Sequence, residues 1–235
     1  MKRFIYSFLF LFGLLVFTGC EDITSEDTSK ITYFVTFDMA GDQVMTIPVG
    51  QSYVEPGVVA LEGDNDISSS MKITGTVNSN AVGLYPITYS ATNVDGFSSS
   101  VTRTVIVYNP EVTANLAGNY VTATGTYRFW YSSGAKVNFP GFNVNITEVA
   151  PGVYYVSDYF GGYYDQRAAY GANYAMTGYM KLNPDNTLEE LSSAVKGWGD
   201  SLASFKGTYN PTDKTIYWES AYAGSMTFYV NLKLK

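Results

Sequence analysis

The sequence predicts an all-β protein, a β-sandwich followed by an antiparallel β-barrel or meander. Three observations carry this. Tyrosine is abundant, with 21 Tyr beside 14 Phe and 3 Trp, while only 15% of residues are charged. Strand-forming aromatic and β-branched residues therefore dominate. Apolar and polar residues alternate with period two in many short segments. Gly, Pro, Asn and Asp turn signals separate those segments at short spacing.

The chain opens with Lys2 and Arg3, followed by an apolar run from Phe4 to Phe17 broken only by Ser7 and Gly13. The run suits a signal h-region and is short for a membrane span. It closes at Val16-Phe17-Thr18-Gly19-Cys20. That closure resembles a bacterial lipoprotein lipobox, with Phe17 where Leu is usual. The resemblance implies a signal peptide over residues 1–19, cleavage before Cys20 and acylation of its thiol. Several acyl chains would hold the protein stably on a bilayer. Glu21, Asp22, Glu26 and Asp27 make residues 20–30 an acidic, polar tether. Such acidic residues resemble the surface-export signal of Bacteroidota lipoproteins, which implies an outer-membrane, cell-surface location.

Composition excludes several functions. Without Lys2 and Arg3 the chain carries 12 basic against 21 acidic side chains, so phosphate backbones are repelled and no nucleic-acid partner is expected. Cys20 is the only cysteine, so no intrachain disulfide forms. Histidine is absent, which rules out imidazole-based catalytic triads and metal sites. No phosphate loop or nucleophile motif is present, and no cofactor is expected.

The first domain spans residues 31–109. Strands are expected over 31–39 and 44–48. Met71, Ile73, Gly75 and Val77 alternate with Lys72, Thr74 and Thr76. Tyr85, Ile87, Tyr89 and Ala91 repeat the pattern, and Val101, Val105 and Val107 line a last strand. These strands predict an antiparallel sandwich. The motifs Tyr53-Val54-Glu55-Pro56-Gly57, Gly63-Asp64-Asn65-Asp66-Ile67-Ser68, Gly83-x-Tyr85-x-Ile87-x-Tyr89 and Thr102-Arg103-Thr104-Val105 occur in that order. Together they resemble bacterial Ig-like modules related to HYR domains, which implies a spacer. Asp64 and Asp66 are weak candidates for Ca²⁺ ligands; Asx-turn chemistry explains them equally well.

Asn109-Pro110-Glu111 marks the boundary to a second domain over residues 113–235, where all three Trp lie. Phe142, Val144 and Ile146 alternate with Asn143, Asn145 and Thr147. Ile216 and Trp218 alternate with Tyr217 and Glu219, and Phe228, Val230, Leu232 and Leu234 with their polar neighbours. Further strands are expected near 120–132, 153–159, 173–182, 187–195 and 203–209. About eight strands in succession predict an up-and-down meander, closed as a barrel or folded as a sandwich. Leu116-Ala117-Gly118-Asn119-Tyr120 faintly resembles the opening of lipocalins. Asp158-Tyr159-Phe160-Gly161-Gly162-Tyr163-Tyr164 and Gly207-Thr208-Tyr209-Asn210-Pro211 with Ile216-Tyr217-Trp218 accompany the Ig-like stretch. The whole resembles the small lipoproteins of Bacteroidota polysaccharide-utilisation loci.

Aromatic rings stack on the apolar face of a pyranose, while carboxylates and amides take its hydroxyls. Tyr159, Phe160, Tyr163, Tyr164 and Asp165 around Gly161-Gly162 are therefore candidate ligand contacts. The alternative is a loop that buries its rings on its own barrel. Trp198 lies between Gly197 and Gly199, a setting suited to a loop tip. Trp130 is out of phase with Tyr127, Phe129 and Tyr131, which allows it an outward ring. Trp218, in phase with Ile216, is assigned to the core. Asp158, Asp165, Asp200 and Glu219 are the acids available for glycosidic chemistry, but no spacing brings two of them together.

The sequence thus predicts a non-catalytic, lipid-anchored surface protein that binds glycan during polysaccharide uptake. One alternative is a structural or protein-partner subunit of an outer-membrane uptake assembly. Another is a lipocalin-like carrier of a small apolar ligand. A glycan binder should place rings in an open row or groove; a carrier should enclose an apolar cavity.

Overall fold

The computed structural model describes residues 31–235. The predicted leader, Cys20 and the tether fall outside the described residues. Among the described residues, no helix is long and apolar enough to cross a membrane.

The N-terminal part is a two-sheet sandwich. Strands β1 (Val35–Met39), β3 (Val58–Glu62) and β4 (Asn65–Asp66) form one antiparallel sheet. The other has the order β2 (Val44–Pro48), β7 (Ser98–Tyr108), β6 (Gly83–Thr92), β5 (Lys72–Thr74). Inward residues of the second sheet, Ile47, Ile87, Tyr89, Val105 and Val107, are buried against Phe37, Met39 and Val58 of the first.

Three expectations change here. The sheet is not purely antiparallel: β2 runs parallel to β7, with Val44 opposite Thr104 and Pro48 opposite Tyr108. The alternation over 71–77 yields only three strand residues, because Gly75 turns to a φ of +100°. The opening strand begins at Val35, and residues 31–34 precede it.

Two of the sandwich motifs, Tyr53–Gly57 and Thr102–Val105, meet in one polar network. Arg103 is fully buried. Its guanidinium donates to the carbonyl oxygens of Asp42, Ala40 and Gly57 and lies 3.1 Å from the Glu55 carboxylate. Glu55 also accepts from the Tyr53 hydroxyl and from the Gly57 N–H. Burial works against ionisation of Glu55, but these donors and Arg103 outweigh it and hold the carboxyl below its usual range.

The C-terminal part is a closed barrel. Eight strands form the ring: β8 (Gly118–Thr122), β11 (Asn143–Ala150), β12 (Val153–Val156), β13 (Met176–Leu182), β14 (Thr187–Val195), β15 (Ser204–Asn210), β16 (Thr215–Tyr222) and β17 (Met226–Leu234), which returns to β8. Closure removes the free edges of a long meander. A small hairpin, β9 (Tyr127–Trp130) and β10 (Lys136–Asn138), rides on the first half of β17. Strand β17 therefore changes partner midway, from β9 to β8. Thr126 bridges the change: its hydroxyl donates to the carbonyl of Asn231 and accepts that residue's N–H.

The interior is filled by side chains. Trp218, Tyr154, Tyr159, Phe160, Phe228, Met176 and Met180 are all fully buried in it. A separate apolar cluster joins the two parts: Ile106 of β7 packs with Ala150 and Val153, flanked by Leu84, Tyr108, Val149 and Leu191. The 150–153 hairpin thus marks the barrel end that meets the sandwich.

Candidate functional site

Strand direction decides what lies at the other end. Strand β12 leaves the sandwich contact at Val153 and feeds residues 157–175; β13 returns from there. Strand β14 climbs to the loop 196–203, and β16 and β17 meet at the turn 223–225. These loops cluster at the barrel end away from the sandwich.

Asp158 organises the longest loop. Its buried carboxylate accepts the N–H groups of Phe160 (2.8 Å), Gly162 (2.9 Å) and Met176 (2.9 Å). Burial pushes this carboxyl up to about 7, against the pull of the three N–H donors. The carbonyl of Tyr159 accepts from Trp218 Nε1 (2.9 Å) and from the Ser220 hydroxyl (3.1 Å). The segment is thereby drawn into the barrel, and a single π-helical turn over Tyr163–Arg167 follows.

This corrects part of the predicted site. Tyr159 and Phe160 have no exposed surface and Tyr163 is buried. Their rings pack on Trp218, Phe205, Tyr222, Phe228 and Phe139. A ring enclosed in this way cannot stack on an external sugar. Trp130 faces inward as well: it lies opposite Met226 and packs against the core. Arg128 stands over the rings of both Trp130 (4.9 Å) and Tyr163 (4.6 Å). Asp165 is half-buried and supplies its backbone carbonyl to the Gly171 N–H.

Trp198 remains at the surface, with the half-buried Tyr164 against it. Trp198 is 39% exposed. The turn that presents it is closed by the Val195–Asp200 bridge and by the Gly199 N–H, which donates to Val195. Both flanking glycines are required there: Gly199 has a φ of +74°, and a Cβ on Gly197 would sit 2.7 Å from the Tyr174 ring. Around the indole stand Tyr164 (4.8 Å between centroids), Tyr174 (4.9 Å), Tyr170 (6.4 Å) and Tyr222 (6.1 Å). Tyr170 is 56% exposed. Tyr170, Tyr174 and Trp198 line an open depression of about 340 Å³. Asp200 lines a separate depression with Tyr222 and accepts from the Tyr222 hydroxyl at 2.7 Å. Burial and this carboxylate both raise the pKa of the Tyr222 phenol.

Tyr170, Tyr174 and Tyr222 escaped the sequence reading as neighbours of Trp198, since they come from other segments of the chain. The outer wall was missed too. Tyr127 stacks on Tyr229 (4.5 Å, 13°), with Lys136 Nζ 3.7 Å above the Tyr127 ring. Beside them Lys206 and Glu219 form an ion pair at 3.0 Å between two surface depressions.

Of the four acids, Asp158 is inside the barrel, with Asp165 near enough to help raise its pKa, while Asp200 stands at the barrel end and Glu219 on the outer wall. Of the weak cation candidates, Asp66 accepts the Ser68 N–H in an Asx turn. Among the described residues, no three metal-ligating side chains cluster.

Comparison with known proteins gives the family. Residues 37–107 match a family model described as a bacterial surface protein Ig-like domain. Residues 109–234 match one described as a "-like, C-terminal domain". The lipoprotein BT2262 from Bacteroides thetaiotaomicron, known from a crystal structure, is 41% identical; the match covers 85% of this chain and 100% of that one, with a TM-score of 0.48. A Clostridium perfringens ZmpB structure, CBM51-2 in complex with GlcNAc and INT domains, is 12% identical over 86% of this chain and 44% of that one (TM-score 0.29). A Bacteroides ovatus protein of unknown function is 10% identical over 85% and 93% (TM-score 0.26). Neither of these two distant likenesses bears on what the chain binds. Among curated proteins, none matches. With 41% identity across the whole of that relative, the chain belongs to the family of the Bacteroides lipoprotein BT2262, built from an Ig-like domain and a C-terminal β-barrel.

Proposed function

We propose that this is a lipid-anchored protein of the outer-membrane surface whose barrel end binds glycan without catalysis, in the service of polysaccharide uptake. The observation that carries the reading is the exposed Trp198–Tyr170–Tyr174 depression at the barrel end away from the sandwich. Its rings supply π-faces for pyranose stacking, and Asp200, in a separate depression with Tyr222, supplies an acceptor for hydroxyls. The site faces away from the domain that leads back to the predicted anchor. Asp158, the acid coupled to Asp165, is buried and taken up by three backbone N–H groups, which supports binding over hydrolysis. The carrier reading lacks room, because Trp218, Tyr159, Phe160 and Phe228 occupy the interior that a cargo would need.

Affinity electrophoresis against a panel of polysaccharides tests this, with wild type and Trp198→Ala run side by side. Retardation of the wild type on at least one glycan, lost in the variant, is the expected result. Equal mobility on every glycan sinks the reading. Retardation that survives Trp198→Ala moves the site to the outer wall of Tyr127 and Tyr229.

A further inference from the structure

The sandwich ends in an apolar tip that nothing in the described structure covers. Ile31, Tyr33, Phe34, Val94 and Phe97 are 73, 55, 61, 79 and 51% exposed. They form one patch. The rings of Phe34 and Phe97 are 5.4 Å apart, and the Asn93 side-chain amide donates to the Tyr33 carbonyl at 2.8 Å. The hairpin tip is fixed from within: the Asn93 side-chain oxygen accepts the Phe97 N–H (2.7 Å), and the buried Glu62 carboxylate accepts the Val94 N–H (3.2 Å). Val94 and Phe97 thus sit on a turn braced by hydrogen bonds, and Tyr33 and Phe34 of the segment before β1 lie against it.

The position of the tip says what covers it. Strand β6 runs from Gly83, beside the barrel contact, to Thr92, next to the tip. Its ten residues separate tip from barrel contact by roughly 33 Å. The tip is also where the described chain begins, at Ile31. Only residues 21–30 separate Ile31 from Cys20, a span of at most about 40 Å even when fully extended. If Cys20 is acylated, as the proposed anchoring requires, the tip is the part of the described molecule held nearest the bilayer.

We infer that the tip of Ile31, Tyr33, Phe34, Val94 and Phe97 rests in the interfacial zone of the membrane that carries the anchor, and that the occupant of this patch is lipid. Aromatic and aliphatic side chains gathered at one end of the sandwich suit the boundary between headgroups and acyl chains. The docked tip acts as a second foot beside the lipid chains. It orients the sandwich, so that the Trp198 end points away from the membrane.

The inference rests on acylation of Cys20, and the experiment separates the two. Cys20 is the only cysteine, so once it is acylated Val94→Cys introduces a single free thiol. The full acylated chain, labelled there with an environment-sensitive fluorophore, is placed in phosphatidylethanolamine–phosphatidylcholine vesicles with or without doxyl-labelled lipid. The same is done with Ser132→Cys, in the exposed turn after β9. The label at 94 is expected to shift to shorter wavelength and to be quenched by doxyl lipid, while the label at 132 stays aqueous and unquenched. An aqueous, unquenched label at 94 on protein that floats with the vesicles overturns the inference alone. So does a label shielded from aqueous quenchers but untouched by doxyl lipid, which would mean that a second copy or another protein covers the tip. An intact mass without acyl chains overturns the anchor and this inference together.

Discussion

The indole of Trp198 meets the ring of Tyr164 edge-on, with centroids 4.8 Å apart and planes at 87°. Tyr164 in turn leans on Phe160 and Phe228 inside the barrel. The exposed ring is thus braced through one half-buried tyrosine onto the core. Each such ring pair contributes about 0.5–1.5 kcal/mol beyond its buried area. Tyr164→Leu should weaken glycan binding several-fold through misplacement of Trp198, with a stability loss of about 1–2 kcal/mol. Isothermal titration beside urea denaturation separates the two effects. Unchanged affinity would remove Tyr164 from the site's support.

Asp158 offers a test based on pH. Its carboxyl is pushed up to about 7 in the folded chain by burial, against a value near 3.9 when unfolded. The fold therefore favours the protonated form. The associated stability is present in full below about pH 4 and is lost as pH rises towards 7, with a slope of up to about 1.4 kcal/mol per pH unit. Carboxyls held low, such as Glu55 and Glu189, lose their contribution only in more acidic solution. No histidine titrates in the window. Asp158→Asn should flatten the decline between pH 5 and 7. It should also cost about 1–3 kcal/mol, because its amide nitrogen meets an N–H donor where the second carboxylate oxygen had accepted one. Urea denaturation across that pH range decides it, and an unchanged slope in the variant would assign the titration elsewhere.

How far the sequence could be read follows from these same residues. Alternation put Ile216, Trp218, Phe228 and Val230 inside, and all four are buried. Along β9 the phase was right but the sides were exchanged. Tyr127 and Tyr229 stack on the outside, while Arg128 and Trp130 lie opposite core residues of β17. Period two separates two faces without saying which is inside, and here the outer face is also aromatic. Tyr159 and Phe160 had no period to read at all. Their burial depends on hydrogen bonds from Trp218, Ser220 and three backbone N–H groups distributed over residues 160–220. Trp198 was legible because its flanking glycines are a local signal. Its companions Tyr170, Tyr174 and Tyr222 are brought to it only by barrel closure.

The Arg103–Glu55 pair sets the cost of disturbing the sandwich. Arg103 has no exposed side-chain surface, and its guanidinium donates to three backbone carbonyls. Arg103→Met removes the cation, leaves the Glu55 carboxylate without its counter-charge and takes a donor from the carbonyls of Ala40 and Asp42. A loss of about 3–5 kcal/mol is expected, against a smaller loss for Glu55→Gln, whose carboxyl is partly open to solvent. Denaturation of both variants checks the order. A near-neutral Arg103→Met would mean that the carbonyls find water instead.

The contact between sandwich and barrel makes the last prediction. Ile106 is 2% exposed although it lies on the face of β7 turned away from the sandwich core, because Ala150, Val153 and Leu191 of the barrel cover it. A Cβ on Gly152 would sit 2.9 Å from Val112, so the junction is also tightly packed at the barrel's first hairpin. An apolar junction of this kind couples the two parts, and the wild type should unfold in one transition. Ile106→Asp places an unpaired charge in it, at a cost of several kcal/mol if the parts stay together. Separation relieves that cost, since each part keeps its own core. The variant should therefore unfold in two steps, resolved because all three Trp report only on the barrel while far-ultraviolet circular dichroism reports on both. Coincident transitions in Ile106→Asp, or separate ones already in the wild type, would show that the junction does not couple the two parts.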